Sequence, residues 1–215
     1  MASISIEDFL KNVYMLINLG DKANTSKLAR RLNVSNAAIT DMSRKLAFQN
    51  LINYEKYRDI TLTTEGEKIA LSVIRRHRLW EVFLNEVLEI PWEKVHDEAE
   101  RLEHQTSDYL INEMDKFLEY PKIDPHGDPI PDESGYFAKQ NLTRLTEVTT
   151  PVKVRLERIV EHTGVAIEFL NSINCGIGQE INVGIIDKKI RKVFLTISGD
   201  DVIMPFEVAE NLFVK

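Results

Sequence analysis

Apolar residues recur at helical spacing from the start of the chain. Ile6, Phe9, Leu10, Val13, Tyr14, Leu16 and Ile17 mark one face of a helix that Gly20 stops. "TSKLARRLNV" predicts a short helix with Thr25 as N-cap. "SNAAITDMSRKLAFQNL" predicts a second, capped by Ser35 and burying Ala38, Ile39, Met42 and Leu46. A tight turn around Asn33 and Val34 joins the two, which is a helix-turn-helix pattern. The period then shortens to two: Ile52, Tyr54, Ile60 and Leu62 alternate through a small hairpin with Lys56, Tyr57 and Arg58 at its tip. A helix-turn-helix followed by a basic hairpin predicts a winged helix.

Two longer helical patterns follow. "EGEKIALSVIRRHRLWEVFLNEVLEI" ends at Pro91, and "PWEKVHDEAERLEHQTSDYLINEMDKFL" reads as the next helix. Residues 120–135 hold four prolines and two glycines and predict a loop, with a polar linker over 136–150. From residue 151 alternation returns. Val152, Val154 and Leu156 face away from Lys153, Arg155 and Glu157, and "EINVGIID", "KVFLTIS" and "DVIMPF" are short strands around the helix "GVAIEFLNSI". "SGDD" at 198–201 is a hairpin turn. The expected fold is mainly α with a small β-rich, barrel-like C-terminal domain. The expected segments are a winged helix over 1–72, a helical domain over 73–140, a linker over 141–150 and the β-rich domain over 151–215.

Charge divides the chain in the same places. Residues 1–80 carry 13 Lys/Arg against 8 Asp/Glu, residues 81–135 carry 4 against 16, and the rest balances. A basic N-terminal third suggests a polyanion partner, and an acidic middle suggests a cation. No run of 18 apolar residues predicts a membrane span, and the first 20 residues lack a signal-peptide core. The single cysteine, Cys175, excludes an internal disulfide and fits a reducing cytoplasm.

The acidic middle contains "HDEAERLEHQTSD". His96, Glu100, Glu103 and His104 stand at i, i+4, i+7 and i+8, one face of a helix, and the preceding helix adds His77 and Glu81 at i, i+4. Antiparallel helices joined around Pro91 would bring all six together. Carboxylates so gathered repel one another without a cation, and each imidazole and carboxylate can give a cation a lone pair. The plain alternative is a solvated face, with Glu100 and Glu103 paired to Arg101 or Lys94. Nitrogen and oxygen donors without thiolate suit Mn(II), Fe(II) or Zn(II) and argue against Cu(I) or a cysteine-type zinc site. A di-metal oxidase would show Glu-x-x-His on paired helices, and the order Glu100-x-x-Glu103-His104 fits that poorly. There is no phosphate loop, nucleophile elbow or paired-cysteine motif, so no enzyme is expected.

"RRHRLWEVFL", "KVHDEAERLEHQTSD" and "DPHGDPIP", in that order behind a winged helix, resemble the diphtheria toxin repressor family of metal-dependent transcription regulators. "SIEDFLKNVYMLI" and "YEKYRDITLTTEGEKI" resemble its manganese-responsive branch, and the tail is similar to the SH3-like module of three-domain members. The resemblance implies a cytoplasmic homodimer that represses metal-ion homeostasis genes on a palindromic double-stranded DNA operator, with no organic small-molecule substrate. It implies a primary metal site of Asp8, Glu100, Glu103 and His104. It implies an ancillary site of His77, Glu81 and His96, or of Glu81, Asp124 and His126 with an acid from the SH3-like module, for which Glu161 is the candidate. In the iron branch the positions of Asp8 and Glu100 are methionine and cysteine. The oxygen donors here favour Mn(II), with Fe(II) as the alternative and Zn(II) or Co(II) as substitutes in vitro. Lys11 stands where two-domain manganese regulators place a glutamate ligand. For DNA, the recognition helix would present Ser35, Asn36, Ala37, Thr40, Asp41 and Arg44, and the wing tip Arg58. Two rival readings remain: a metalloenzyme using the same cluster, or a winged-helix regulator that needs no metal.

Overall fold

The computed structural model describes residues 3–56, 58–160 and 164–215, which gather into two compact units. The first comprises the chain up to His77, residues 100–112 and residues 131–136; the second comprises 78–99, 113–130 and 137–215. Among the described residues no helix is long and apolar enough to cross a membrane.

The first unit opens with α1 (Ile4–Asn18), α2 (Thr25–Arg31) and α3 (Asn36–Phe48). The cap of α2 is Asn24 rather than Thr25. Asn24 is extended, and its side-chain oxygen accepts from Lys27 N at 3.0 Å, which makes Thr25 the first helical residue. Asn33, at φ 52°, turns the chain, and Val34 N donates back to Ala29 O. Ser35 caps α3 as expected, accepting from Ala38 N at 3.1 Å. Helix α3 buries Ile39, Ser43 and Leu46. Ala38 is exposed and Met42 only half-buried, because the buried stripe starts one position later than the apolar run. Strands β1 (Ile52–Asn53) and β2 (Thr61–Leu62) pair antiparallel, Ile52 opposite Leu62, to form the wing. Phe9, Leu10, Val13, Leu28, Ile39, Leu46, Ile52 and Ile60 make the core. Burying each such side chain contributes roughly 1.5–3 kcal/mol.

Helix α4 spans Thr64–Val82 and runs into a π-helical turn, Phe83–Val87. The single helix expected over 91–118 is two: α5 (Trp92–Leu102) and α6 (Asp108–Phe117). No glycine or proline makes the break. Thr106 Oγ1 donates to Leu102 O at 2.8 Å, closing α5, and Ser107 Oγ accepts from Leu110 N at 3.2 Å, capping α6. Glu103 and His104 therefore lie in a turn beyond the helix that carries His96 and Glu100, not on one continuous helical face.

The second unit is built on a six-stranded antiparallel sheet in the order β3-β8-β4-β5-β6-β7. Its strands are β3 (Thr143–Arg144), β4 (Val152–Ile159), β5 (Glu180–Asp187), β6 (Lys192–Ile197), β7 (Asp200–Pro205) and β8 (Leu212–Val214), with helices α7 (Gly164–Ser172) and α8 (Phe206–Ala209). The stretch expected to be a linker supplies β3, which pairs with β8, and the fully buried Leu145. Ser198 and Gly199, at φ 53° and 94°, form the two-residue turn between β6 and β7.

The proline-rich loop is seated on this sheet. Asp124 Oδ1 accepts from the backbone N–H of His126 and of Asp128, each at 2.9 Å, and closes the loop on itself. Ile159 N in β4 donates to His126 O at 2.9 Å. Gly127, at φ +88°, has no room for a side chain: a Cβ there would lie 1.9 Å from Glu157 O. Trp92 Nε1 donates to Asn171 Oδ1 at 2.8 Å, tying the start of α5 to α7.

Candidate metal centre and nucleic-acid interface

In the first unit, α1 lies against the turn after α5. His104 meets a carboxylate at each ring nitrogen. Nδ1 is 2.7 Å from Glu7 Oε2, and Nε2 is 2.9 Å from Asp8 Oδ1 and 3.2 Å from Glu103 Oε1. Arg76 in turn holds Glu7 at 3.1 Å. The hydrogen bond to Asp8, helped by Glu7 and opposed by burial, raises the His104 pKa to about 9. Without metal, the imidazolium is thus a cation set between Glu7, Asp8 and Glu103. Donor atoms of Asp8, Glu103 and His104 lie within 4.8 Å of one another. To ligate through Nε2, His104 must release one proton while Nδ1–H stays on Glu7, a carboxylate–histidine arrangement that fixes a ligating ring.

Glu103 is fully buried and faces a second group. Its Oε2 is 2.6 Å from His77 Nδ1, and donor atoms of His77, Glu100 and Glu103 also converge within 4.8 Å. Lys11 occupies this group. Its Nζ donates to Glu100 Oε1 at 2.8 Å and to both Glu103 oxygens at 2.9 and 3.0 Å, and lies 3.3 Å from His77 Nδ1. Burial works to lower the Lys11 pKa, but the charges and hydrogen bonds of Glu103 and Glu100 outweigh it and leave it raised.

The second unit holds a further group. Glu81, Asp124 and His126 are buried, with donor atoms within 4.8 Å of one another. His126 Nε2 donates to Trp92 O at 3.0 Å, and the ring stacks on the Trp92 indole at 5.9 Å. That leaves Nδ1 facing Glu81 Oε2, 3.6 Å away. His96 Nδ1 lies 3.4 Å from the other Glu81 oxygen. Arg78 balances the charge, reaching Asp124 at 3.5 Å and Asp128 at 3.2 Å and donating to Pro129 O. Nitrogen and oxygen donors, several buried and each oriented by a neighbour, fit a divalent cation at both places. Glu161 lies outside the described residues.

On the winged helix, Ser35, Asn36, Ala37, Asp41 and Arg44 are exposed along α3, and Thr40 is half-buried, with Oγ1 donating to Asn36 O at 2.9 Å. Ser35 Oγ is engaged as the cap, and Asp41 holds Arg44 at 3.4 Å. Arg58 is exposed and paired with Glu55 at 3.0 Å. A cleft of about 480 Å³ lined by Thr25, Ser26, Thr40, Arg44, Lys56 and Arg58 separates the helices from the wing. Hydroxyls and cations on such a groove suit phosphate and base-edge contacts.

The sequence reading missed Glu7, Arg76, Arg78 and Trp92 as supports. Glu7 carried one signal, an acid beside Asp8 on the apolar-faced α1. The two arginines stood in "RRHR" without anything to show their partners.

A DNA-reading fold joined to buried nitrogen–oxygen clusters defines a metal-dependent DNA-binding regulator. Residues 1–60 match the model described as "Iron dependent repressor, N-terminal DNA binding domain", and residues 63–132 match "Iron dependent repressor, metal binding and dimerisation domain". The iron-dependent repressor IdeR of Mycobacterium leprae is 31% identical, over 97% of this chain and 96% of its own. The HTH-type transcriptional regulator MntR of Bacillus subtilis is 34% identical, over 56% of this chain and 84% of its own. A solved manganese-dependent transcriptional repressor in complex with manganese superposes with a TM-score of 0.90 at 31% identity, covering 97% of this chain and 98% of that one. The chain belongs to the iron-dependent repressor family, the diphtheria toxin repressor group of transcriptional repressors, which are not enzymes and include both manganese and iron regulators.

Proposed function

We propose that the protein is a manganese-responsive repressor of metal-ion homeostasis genes, acting in the cytoplasm as a homodimer on a palindromic operator. The observation that carries the metal assignment is the set Asp8, Glu103 and His104, all hard oxygen or imidazole donors, with Glu7 holding His104 from behind. Glu100, on the last turn of α5 and bonded to Lys11 at 2.8 Å, is the fourth donor in this reading. Fe(II) competes for the same donors. A bound divalent cation supplies the charge that lets Asp8, Glu103 and a deprotonated His104 stay together. Asp8 sits on α1, which packs in the core of the winged helix, and Glu103 and His104 sit on the turn that leads into α6. Holding them together fixes the recognition helix relative to that turn. In a dimer this sets the separation of two recognition helices, which must match half-sites about 34–36 Å apart or a multiple of that. Each tenfold gain in operator affinity needs about 1.4 kcal/mol of coupling.

Glu81, Asp124 and His126 form the ancillary site in this reading, with His96 beside it and Glu161 as the further donor. Ile159, bonded to His126 O, stands two residues before Glu161 in sequence. The exposed Val87, Leu88, Phe117 and Tyr120 offer apolar surface for the dimer. Ser35, Asn36, Ala37, Thr40, Asp41 and Arg44 read bases, and Arg58 holds phosphate.

The test is a gel shift of metal-free protein titrated with Mn(II), Fe(II), Co(II) and Zn(II) on a selected operator. Mn(II) at physiological concentration should produce the shift, and Glu103→Ala should lose it while remaining a folded dimer. A shift of equal strength in EDTA sinks the metal-dependent reading; a response to Fe(II) alone sinks the manganese assignment.

A further inference from the structure

Helix α1 presents opposite charges to one acidic group. Asp8 and Lys11, one helical turn apart, both reach Glu103, Asp8 by way of His104 and Lys11 directly. The three donors His77, Glu100 and Glu103 stand around the Lys11 ammonium at 2.8–3.3 Å, and they are the same three whose ligand atoms converge within 4.8 Å. Two imidazole or carboxylate side chains of this trio are almost wholly buried, and the Lys11 side chain is only 10% exposed. A carboxylate buried as completely as Glu103 needs a compensating cation. Here the cation is covalently part of the chain.

We propose that Lys11 is a built-in cation filling a second divalent position next to the Asp8–Glu103–His104 site, so that the first unit takes one metal ion where its donors would otherwise accommodate two. This rests on the metal-site reading given under Proposed function. Three points support it. The ammonium supplies up to three N–H donors, and they meet the carboxylates of Glu100 and Glu103 at hydrogen-bond distance, in place of the lone-pair bonds a metal would make. Glu103 is shared between the two groups, turning Oε1 to His104 and Oε2 to His77, as a carboxylate does when it bridges two cations. Arg76 is engaged by Glu7, which sits at the other ring nitrogen of His104 from Glu103. The consequence for regulation is that the response to metal in this unit is set by one ion, with no second occupancy to add cooperativity.

The experiment is Mn(II) binding by equilibrium dialysis on the full chain, comparing the wild type with Lys11→Met, Lys11→Gln and Lys11→Arg, alongside circular dichroism with and without Mn(II). The wild-type number tests the metal-site reading; the difference between variant and wild type tests Lys11. Removing the charge should add one Mn(II) per subunit in Lys11→Met and Lys11→Gln, Lys11→Arg should keep the wild-type number, and His77→Ala combined with Lys11→Met should lose the added ion. A Lys11→Met chain that folds only when Mn(II) is present supports the proposal equally, since the ion has replaced the ammonium. The proposal is overturned if the folded Met and Gln variants bind the wild-type number of ions. It is also overturned if they remain unfolded in saturating Mn(II), because the metal then cannot stand in for the lysine.

Discussion

Replacing Gly127 with alanine puts the link between the C-terminal sheet and the ancillary cluster to a direct test. The new Cβ would lie 1.9 Å from Glu157 O and 2.9 Å from Arg158 Cα, both backbone atoms of β4 that cannot rotate aside. The first contact is more than an ångström inside the 3.0 Å limit of real Cβ contacts, so the loop has to lift. Two costs follow. An alanine held at φ +88° is strained by roughly 1–2 kcal/mol. The Ile159 N to His126 O hydrogen bond breaks, costing about 1 kcal/mol. A loss of about 2–3 kcal/mol in a chain of this size lowers the melting temperature by roughly 4–12 °C. Lifting the loop also carries Asp124 and His126 away from Glu81, so one Mn(II) per subunit should be lost while the Asp8–Glu103–His104 site still fills. Calorimetry with and without Mn(II), paired with dialysis, reads both quantities. An unchanged melting temperature together with an unchanged ion count would refute the reasoning; a lower melting temperature with a full ion count would refute the ligand assignment alone.

Further expectations concern the primary site and the wing. In the metal-free protein His104 has its pKa raised to about 9, so it contributes stability that is fully present below its ordinary 6.5 and is lost as pH rises through about 9. The melting temperature of EDTA-treated protein should therefore decline over that window more steeply than that of His104→Asn, and parallel profiles would argue against the Asp8 and Glu7 contacts. Glu7→Gln removes the carboxylate behind His104 Nδ1 and should weaken Mn(II) binding by about 10–100-fold without changing the number of sites; wild-type affinity measured by competition with a chelating dye would count against that role. Arg58→Ala should weaken all operators about equally and reduce the salt slope by roughly one unit if it meets one phosphate, whereas loss confined to particular sequences would place Arg58 at a base edge.

The parts that were legible in sequence rest on local physics. The helix-turn-helix is written by Ser35 as a cap and by the apolar spacing of α1 and α3, and the β6–β7 turn by Ser198–Gly199. The break between α5 and α6 was not legible because apolar and acidic spacing runs through it without interruption. What ends α5 is one hydroxyl, Thr106 to Leu102 O, and threonine is as common inside a helix pattern as at its end. The stretch 141–150 looked like a linker because its polar residues outnumber Leu145, and only the pairing of β3 with β8 shows where that leucine goes. Within the site, Glu103 and His104 were legible from their spacing, and Asp8 was carried by family resemblance. The charge balance around them was not. The position of Lys11 among Glu100, Glu103 and His77 depends on α1, α4, the end of α5 and the turn after it meeting in space, with Lys11 and Glu100 89 positions apart in sequence.

The joint between Thr106 and Ser107 has a consequence for how the chain tolerates changes of length. Thr106 closes the helix behind it and Ser107 opens the one ahead, so a residue added between them leaves both caps in place and rotates neither helix about its own axis. One residue added between His96 and Glu100 shifts the phase of α5 by about 100°, swinging one of those side chains off its neighbours. Length variants at residues 106–107 should thus keep both clusters, while single-residue insertions or deletions four or more positions earlier should abolish at least one. An insertion scan through residues 93–110, scored by Mn(II) per subunit, would map that boundary to a single peptide bond.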